Sequence, residues 1–485
     1  MFAILGLSCK KAETEVRWNQ VLPGAGSQSS VRVIDLNGDG VRDIVLGAGK
    51  NEYVHAQQGI VAIDGESGTL LWTQESKDLV FGSATFYDVT DDEIPDIFIG
   101  GRSCILMGLD GATGDTLWTY NPASYLSHPI LHHAQFNFYS SVLVADQNNN
   151  GYDDLLIQNG GNPKVGPGIG EGRLPGVLLI TDSKTGQIIA GDTMPDGMES
   201  YMSPLAFMQT GDSEHSIVFG SGGESFSGNL YLAKLSSLRA SDLSEAVIIA
   251  SEDGHGFIAP PVVADINGDE ILDIIAISHA STIFAINGKD LSELWHLKIP
   301  DTESSNSFAV GYFTNDATPD FFTFVSKGTW PNNTGSVQVM IDGATGEIAY
   351  QNELGCTGFS SAVAYDLNGD DISEVILSIN EFDCQNGFSG DIKEIEHKLI
   401  AIDFATKNEY IIAQKKQFKN VFSTPWIGDL DEDGYLDIVY SQFFHHPPHI
   451  TSFLGMEVSR ISTHIKMRDR MRWGAYMGSQ GNGVF

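Results

Sequence analysis

Short loops with acidic and amide side chains at alternate positions are the clearest candidates for chemistry in this chain. The first reads DLNGDGVRDIVLG and starts at residue 35. Its candidate oxygen ligands at positions 1, 3, 5, 7 and 9 are Asp35, Asn37, Asp39, the Val41 carbonyl and Asp43. Ca²⁺ takes about six to eight oxygen ligands, which this spacing can supply within one tight turn. Asp, Asn and Gly also favour turns for local backbone reasons, so a solvated acidic turn without an ion is the alternative.

The same pattern recurs along the whole chain. The candidate ligands at positions 1, 3, 5 and 9 of the other complete copies are Asp88, Thr90, Asp92 and Asp96; Asp146, Asn148, Asn150 and Asp154; Asp265, Asn267, Asp269 and Asp273; Asp366, Asn368, Asp370 and Glu374; and Asp429, Asp431, Asp433 and Asp437. Two eroded copies begin at Met208 and Tyr312 and lack the first carboxylate, so we predict that they bind no ion. We therefore expect up to six calcium sites, each a structural clamp within its hairpin.

A second repeat alternates with the acidic loops. Segments such as GIVAIDGESGTLLWTQ and CILMGLDGATGDTLWTY consist of an apolar strand, a turn rich in Asp and Gly, and another strand, which is the pattern of a β-hairpin. The acidic loops also lie between two strands, and their first positions are separated by 47 (265 to 312) to 63 (366 to 429) residues. Two hairpins per period give a four-stranded unit with strands A to D. Eight such units predict an all-β, eight-bladed β-propeller, with seven blades as the alternative.

The start of the chain predicts how the ring closes. The segment EVRWNQVLP places Trp18 where the D strands of other units place Trp72, Trp118 and Trp295. This orphan D strand precedes the first A strand, so we expect it to complete the last blade, whose A, B and C strands fall within residues 420–458. Such closure removes the open sheet edges that promote aggregation.

Both repeats resemble known propeller families. The acidic hairpins resemble FG-GAP (VCBS) repeats of integrin α-like propellers, and the tryptophan hairpins resemble the quinoprotein (PQQ)-like repeat. The resemblance covers residues 15–458 and implies Ca²⁺ in the acidic loops. It does not imply PQQ or haem, because the chain has neither an adjacent cysteine pair nor a CxxCH haem motif. Propellers host both enzymes and scaffolds, so the fold leaves the activity open.

Charge restricts the partners. The chain has 63 acidic and 27 basic side chains and a formal net charge of −36, which repels nucleic acid and anionic lipid surfaces. We expect a monomer without nucleic-acid partners.

The N-terminus MFAILGLSCKKAETE resembles the end of a bacterial lipoprotein signal. The resemblance implies lipidation of Cys9, export, and a place at the outer membrane or cell surface, with membrane contact only through the anchor. The alternative is a frayed terminus with a buried free cysteine. We divide the chain into a signal remnant and linker (1–14), the propeller (15–458) and a basic, glycine-rich C-terminal extension packed on it (459–485). This extension could lie against an acidic blade surface or offer a docking patch.

Strand direction sorts the loops into two faces. The A–B and C–D turns lie on one side, the acidic-loop face, and the longer B–C and D–A connections lie on the other, the connection face. Long loops on a rigid scaffold carry recognition, so we predict that the connection face binds the partner. Two histidine clusters also fall there, namely His128, His132 and His133, and His445, His446 and His449. We interpret them as packed among aromatics rather than as a transition-metal site.

Cys356 and Cys384 flank the Asp366 hairpin symmetrically, because both pairs of positions sum to 740 (356 + 384 and 366 + 374). An antiparallel register would bring the two cysteines close enough for a disulfide, and two free thiols are the alternative.

No residue pattern requires catalysis. The first functional hypothesis is a non-catalytic, calcium-stabilised binding or scaffolding propeller at the cell envelope that recognises a protein or a glycan. A polysaccharide lyase on a calcium-bearing propeller is the enzymatic alternative, and a scaffold for outer-membrane assembly is the third.

Overall fold

Eight four-stranded antiparallel sheets make up the computed structural model, which describes residues 14–386, 391–447 and 453–485. Strands A to D of blades 1 to 4 are β2 (Arg32–Ile34), β3 (Asp43–Gly47), β4 (Ala56–Ile63) and β5 (Leu70–Ser76); β6 (Thr85–Tyr87), β7 (Asp96–Gly101), β8 (Ile105–Leu109) and β9 (Thr116–Thr119); β11 (Val142–Val144), β12 (Asp154–Gly160), β13 (Val177–Thr181) and β14 (Ile188–Thr193); and β15 (Leu205–Phe207), β16 (Ser216–Gly220), β17 (Gly228–Lys234) and β18 (Val247–Glu252).

The second half repeats this order. Strands A to D of blades 5 to 8 are β19 (Val262–Ala264), β20 (Asp273–Ile277), β21 (Thr282–Ile286) and β22 (Glu293–Lys298); β24 (Ala309–Gly311), β25 (Asp320–Lys327), β26 (Gly335–Ile341) and β27 (Ile348–Asn352); β28 (Val363–Tyr365), β29 (Glu374–Glu381), β30 (Glu396–Asp403) and β31 (Asn408–Lys416); and β33 (Trp426–Gly428), β34 (Tyr435–His445), β35 (Phe453–Lys466) and β1 (Thr14–Pro23). The prediction of an eight-bladed propeller is confirmed.

Little else is regular. Three short strands, β10 (Asn137–Phe138), β23 (Thr302–Glu303) and β32 (Phe418–Lys419), extend the inner edges of blades 3, 6 and 8. The helices of the described residues are α1 (Leu235–Arg239) and three 3₁₀ turns at Pro122–Tyr125, Leu131–His133 and Cys384–Asn386.

Burial follows the position of a strand within its blade. The B strands β3, β7 and β20 are buried at every residue, since each sheet packs on a neighbouring blade on both sides. The outer D strands alternate in exposure, as in β5. This explains why the B strands read as continuous apolar runs, whereas the D strands read as alternating ones.

The N-terminal strand closes the ring as predicted. β1 pairs with β35 in antiparallel register, with Trp18 opposite Arg460. The C strand of blade 8 continues to Lys466, so the boundary placed at residue 458 lies inside a strand, and the extension that follows the propeller starts at residue 467.

Four tryptophans join successive blades by one shared contact. The Trp18 Nε1 donates a hydrogen bond of 2.9 Å to the Gly65 carbonyl in the C–D turn of the next blade. The same bond runs from Trp72 to Gly111, from Trp118 to Ser183 and from Trp295 to Gly343. Each indole also covers a turn glycine, such as Gly68 at φ +73°, where a Cβ would lie 2.5 Å from the Trp18 ring. The joint that closes the ring is therefore equivalent to the joints within it.

A ring of hydroxyl groups surrounds the central channel. Two residues before each A strand, seven blades carry Ser or Thr and blade 5 carries Pro260. The hydroxyl of one blade accepts the backbone N–H of the preceding blade, at 2.9–3.2 Å, in the pairs Ser30 to Ser83, Ser83 to Ser140, Ser140 to Ser203, Ser307 to Ser361, Ser361 to Thr424 and Thr424 to Ser30. Pro260 interrupts the ring because it has no N–H to donate.

Removing one hydroxyl tests the contribution of this ring. We expect Ser140→Ala to lower the free energy of unfolding by about 1–3 kcal/mol, since the buried Ser83 N–H loses its acceptor. Denaturant titration measures the loss. Ser124→Ala, at an exposed position, serves as the control and should change stability by less than about 0.5 kcal/mol. Equal stabilities for the two variants would contradict the role of the ring.

A buried histidine between blades 7 and 8 should make the protein sensitive to acid. His397 Nδ1 lies 3.0 Å from the Gln442 Oε1, and burial lowers the pKa of His397 to about 4. An unfolded histidine has a pKa of about 6.5, so the unfolded state takes up the proton first as the pH falls. The contribution to stability is complete above about pH 6.5 and is lost as the pH falls towards 4.

We expect His397→Gln to remove this loss. Between pH 8 and pH 5 the wild type should lose on the order of 2 kcal/mol more stability than the variant, measured by denaturant titration at each pH. His464→Gln, on the exposed side of β35, should follow the wild type. Parallel pH profiles for the wild type and His397→Gln would contradict the prediction.

The C-terminal segment fills the central channel. Trp473 bridges to Ala364 in β28, and Val484 bridges to Val263 in β19. The Ile427 N–H donates to the Gly474 carbonyl at 2.7 Å, and the Trp473 Nε1 donates to the Phe308 carbonyl at 3.0 Å. Contacts with inner strands on several blades place residues 473–485 at the axis, where they act as a plug rather than as a surface layer.

The basic start of this segment crosses the acidic-loop face. Arg468 Nη1 donates a hydrogen bond of 2.8 Å to the Gly369 carbonyl in the loop of blade 7. The sequence left two interpretations of this segment open, contact with an acidic blade or a docking patch. Up to Arg468 the segment contacts an acidic blade.

Cys356 and Cys384 form a disulfide with a Cα–Cα distance of 5.2 Å, which was one of the two sequence-based alternatives. Cys104 is free and buried. Cys9 lies outside the described residues.

Candidate functional site

The loop of blade 8 brings three carboxylates together. Ligand atoms of Asp429, Asp431 and Asp433 lie within 4.8 Å of one another. The Oδ1 atoms of Asp429 and Asp431 are buried and have no hydrogen-bond donor among the described residues. Buried anionic oxygens without donors are unfavourable unless a cation meets them, so the donor set of this loop fits a hard divalent ion.

In the other complete loops the first carboxylate organises the backbone. Asp35 accepts N–H bonds from Gly38 at 2.8 Å and from Gly40 at 3.0 Å. Equivalent pairs of bonds are made by Asp88, Asp146, Asp265 and Asp366. Gly38 and Gly40 have φ of +75° and +87°, which glycine adopts without strain. The turn is thus shaped by its own side chains, and each carboxylate oxygen keeps a lone pair that an ion could share.

The carboxylates at position 9 turn towards the backbone. Asp43 accepts from the Leu36 N–H at 2.8 Å and from the Gly65 N–H of the C–D turn at 2.9 Å. Asp320 makes the same two kinds of bond in blade 6, whose loop lacks the first carboxylate. These side chains therefore tie the A–B turn to the C–D turn whether or not an ion is expected.

Burial also shifts the pKa of these position-9 carboxylates. It raises the pKa of Asp43 and Asp154 to about 6 and that of Glu374 to about 8, although backbone N–H donors oppose the shift. In blade 8, Asp437 stands outside the group of three carboxylates and accepts from the Leu430 N–H and the Ser462 hydroxyl.

Carboxylates of the C–D turns lie beside two of the loops. Asn37 Nδ2 donates to Asp64 Oδ2 at 3.0 Å, and Asn148 Nδ2 donates to Asp182 Oδ2 at 2.8 Å. Sequence reasoning missed these residues as neighbours of the candidate ligands. The signal was present, because an Asp opens the turn of the second hairpin in both blades.

Blade 8 differs from blades 1 and 2 in holding a buried arginine beside its acidic loop. The Arg460 Nη2 donates to Asp431 Oδ2 and, at 2.9 Å, to Asp437 Oδ2. At the corresponding position, opposite the D-strand tryptophan, blade 1 has Ala62 and blade 2 has Gly108. The guanidinium neutralises part of the acidic loop, and the other oxygen of Asp431 has no hydrogen-bond donor among the described residues.

On the connection face, polar groups converge near the channel mouth. Arg173 Nη1 lies 2.5 Å from Glu199 Oε1 and donates to the Tyr201 hydroxyl at 2.8 Å. Nearby, the rings of His255 and His279 are 5.6 Å apart. Burial, followed by the adjacent Glu199, raises the pKa of Tyr201.

The histidine clusters predicted on this face do not assemble into a site. His128 Nδ1 accepts the backbone N–H groups of Ile130 and Leu131, and His445 Nε2 contacts the Ile392 carbonyl at 2.6 Å. The group of three carboxylates in blade 8 includes no histidine, and no other such group occurs in the described part of the chain. His449 lies outside that part.

The fold and these loops define an eight-bladed β-propeller built from acidic and tryptophan hairpins. No protein-family model matches the chain. It is 22% identical over 403 residues to Protein FAM234B of Homo sapiens and 23% identical over 410 residues to Protein FAM234B of Mus musculus, in each case over 74% of this chain. The matches span 59% of the length of these relatives.

Solved structures share the fold. A europium-containing methanol dehydrogenase superposes with a TM-score of 0.59 at 9% identity over 93% of this chain and 94% of that chain. The quinohemoprotein alcohol dehydrogenase ADHIIG from Pseudomonas putida gives 0.57 at 10% identity over 94% and 77%. BamB from Moraxella catarrhalis gives 0.51 at 10% identity over 94% and 100%. At these identities the similarity concerns the fold alone.

Among the described residues, no helix has both the length and the apolar character needed to cross a membrane.

Proposed function

We propose that this protein is a non-catalytic, calcium-stabilised propeller that binds a protein or a glycan through its connection face. One observation carries the proposal, namely the distribution of exposed apolar side chains. Those on the connection face are Tyr53, Val54, Leu126, Ile169, Trp330 and Leu454. The acidic-loop face exposes Met208 and Tyr435, and the rest lie on outer D strands or β1. Exposed apolar groups on loops of a rigid scaffold favour recognition over a structural role.

Calcium in the acidic loops is part of the proposal. The loops resemble FG-GAP repeats, and the support from geometry is strongest in blade 8, where two buried oxygens of Asp429 and Asp431 lack donors. The ions would stabilise the hairpins on one face and leave the other face to the partner.

Binding to protein and glycan arrays tests the assignment of the face. We expect Leu126→Asp together with Ile169→Asp to weaken binding about tenfold or more, because both side chains are more than half exposed, at 62% and 53%, and a charge disfavours an apolar contact. Met208→Asp, on the opposite face, is the matched control. Equal loss of binding in both proteins, with unchanged melting temperatures, would contradict the assignment.

A polysaccharide lyase is the second candidate, and the cluster of Arg173, Glu199 and Tyr201 favours it. A lyase needs a positive charge that neutralises the substrate carboxylate, together with a base and an acid. Arg173 would supply the charge once the substrate carboxylate displaces Glu199, and Glu199 and the neutral Tyr201 phenol would then act as base and acid. Such an enzyme generates unsaturated products that absorb in the ultraviolet. Turnover of acidic polysaccharides that disappears in Tyr201→Phe would establish it, whereas absence of turnover would leave the binding role.

A scaffold for membrane-protein assembly, the third candidate, would use the same connection face.

We also propose a location at the cell envelope through a lipid on Cys9. Incorporation of labelled palmitate into the wild type but not into Cys9→Ser tests it, and equal labelling of the two proteins would reject it.

A further inference from the structure

A cavity lies beside the C-terminal plug, at the end of the channel nearest the acidic loops. Its volume is about 830 Å³, and the inner strands of blades 1, 2, 3 and 8 form one wall. The plug forms the other wall through residues 479–482. Arg32, Arg42 and Arg470 all face this space, which is unusual in a chain with a net charge of −36.

Arg32 is the anomalous member of this group. Arg32 is 7% exposed, and its Nε is fully buried without a hydrogen-bond acceptor. None of the described residues accepts a hydrogen bond from its guanidinium or pairs with it as an acid. Asp429 and Glu432 also line the cavity but form no ion pair with Arg32. By contrast, the buried Arg460 pairs with three carboxylates and Arg173 pairs with Glu199.

A buried guanidinium without an anion is energetically unfavourable, because it loses its hydration without gaining a partner. Burial lowers the pKa of Arg32 to about 10, so the group remains charged at neutral pH. Gly481 approaches the guanidinium so closely that a Cβ would lie 2.7 Å from an Nη atom. The plug therefore packs against Arg32, and the ionisable group that it places near the guanidinium is the Tyr476 phenol, which is neutral at pH 7 because burial raises its pKa to about 12.

We propose that this cavity binds a small oxyanion, with Arg32 as the principal cation. The planar fork of a guanidinium matches the two oxygens of a carboxylate or of a tetrahedral oxyanion such as sulfate. Ser479 and Asn482 line the same space and provide neutral donors around the anion, whereas the Thr85 and Ser141 hydroxyls already donate to the Ser141 carbonyl and to the Thr85 hydroxyl. The site lies at the opposite end of the channel from the connection face, so it is independent of the partner proposed there.

Isothermal titration calorimetry of the full chain with succinate and, separately, with sodium sulfate tests the proposal, at constant ionic strength with chloride as the balancing ion. We expect saturable binding of at least one of the two anions. Arg32→Gln should weaken this binding about tenfold or more, because the charge-assisted bonds are lost. Arg239→Gln, which removes an exposed arginine on α1, should retain the wild-type affinity.

The two anions distinguish the class of ligand, since binding of succinate alone indicates a carboxylate and binding of sulfate alone indicates a tetrahedral anion. Arg32→Lys keeps the charge but not the fork, and we expect it to have intermediate affinity. Absence of binding of both anions to the wild type would overturn the proposal, as would full affinity in a folded Arg32→Gln protein. If Arg32→Gln does not fold, the wild-type titrations and Arg32→Lys decide.

Discussion

Replacing Trp18 with alanine should lower the free energy of unfolding by about 3–5 kcal/mol, the range for truncation of a buried tryptophan. Trp18 is 9% exposed and joins blade 8 to blade 1 through the Gly65 carbonyl and the face of Gly68. The variant should also show faster amide hydrogen exchange in β1 and β35, because this joint is where the ring closes. Denaturant titration and exchange measurements check the two effects.

The control lies in the same strand. Val16 is 52% exposed, and Val16→Ala should change stability by less than about 0.5 kcal/mol. Trp118→Ala, which removes the equivalent contact between blades 2 and 3, should destabilise the protein without specifically exposing β1 to exchange. If Trp18→Ala were as stable as Val16→Ala, the closing joint would not depend on the indole.

Removal of Ca²⁺ should lower the melting temperature markedly. An ion present at a hundredfold excess over its Kd stabilises the folded state by about 2.7 kcal/mol per site, so several filled loops give a large total. Thermal unfolding with calcium and with a chelator measures the sum. Once the ion is gone, the carboxylates of each acidic turn repel one another, and this repulsion also lowers the melting temperature.

The contribution of a single loop to the total stabilisation by Ca²⁺ can be tested by mutation. Asp433→Asn changes one of the three convergent carboxylates of blade 8 at an exposed position, and it should remove one bound ion and most of the stabilisation of that site. Asp316→Asn, in the blade 6 loop that lacks the first carboxylate, should change neither stoichiometry nor melting. Equilibrium dialysis counts the ions. Identical melting in calcium and chelator would disprove the calcium account for every loop.

Much of the architecture could be predicted from the sequence, because it is local and repeated. Each acidic turn and each tryptophan hairpin occupies a fixed place in a unit of similar length, so the units could be counted and their strands ordered. Closure followed from the same logic, since Trp18 occurs without the A, B and C strands that precede every other tryptophan of its kind.

Other features depended on which residues the ring brings to one axis. The serines before the A strands belong to different blades, and only the circular arrangement makes hydroxyls such as those of Ser140 and Ser203 the acceptors of the preceding blade. The composition of the basic C-terminal segment allowed two interpretations. The structure places its start against the acidic loop of blade 7 and its end, residues 473–485, inside the channel.

The sequence by itself determined the number of blades and the strand order, and it predicts which turns hold ions, because hydrophobic periodicity and turn chemistry act over a few residues. Only the tertiary structure decided that position-9 carboxylates such as Asp43 bond to a second turn, that Arg460 enters the loop of blade 8, and that Arg32 faces a cavity without an anion. These contacts join residues far apart in the chain, and their energies depend on burial and distance, which no local pattern records.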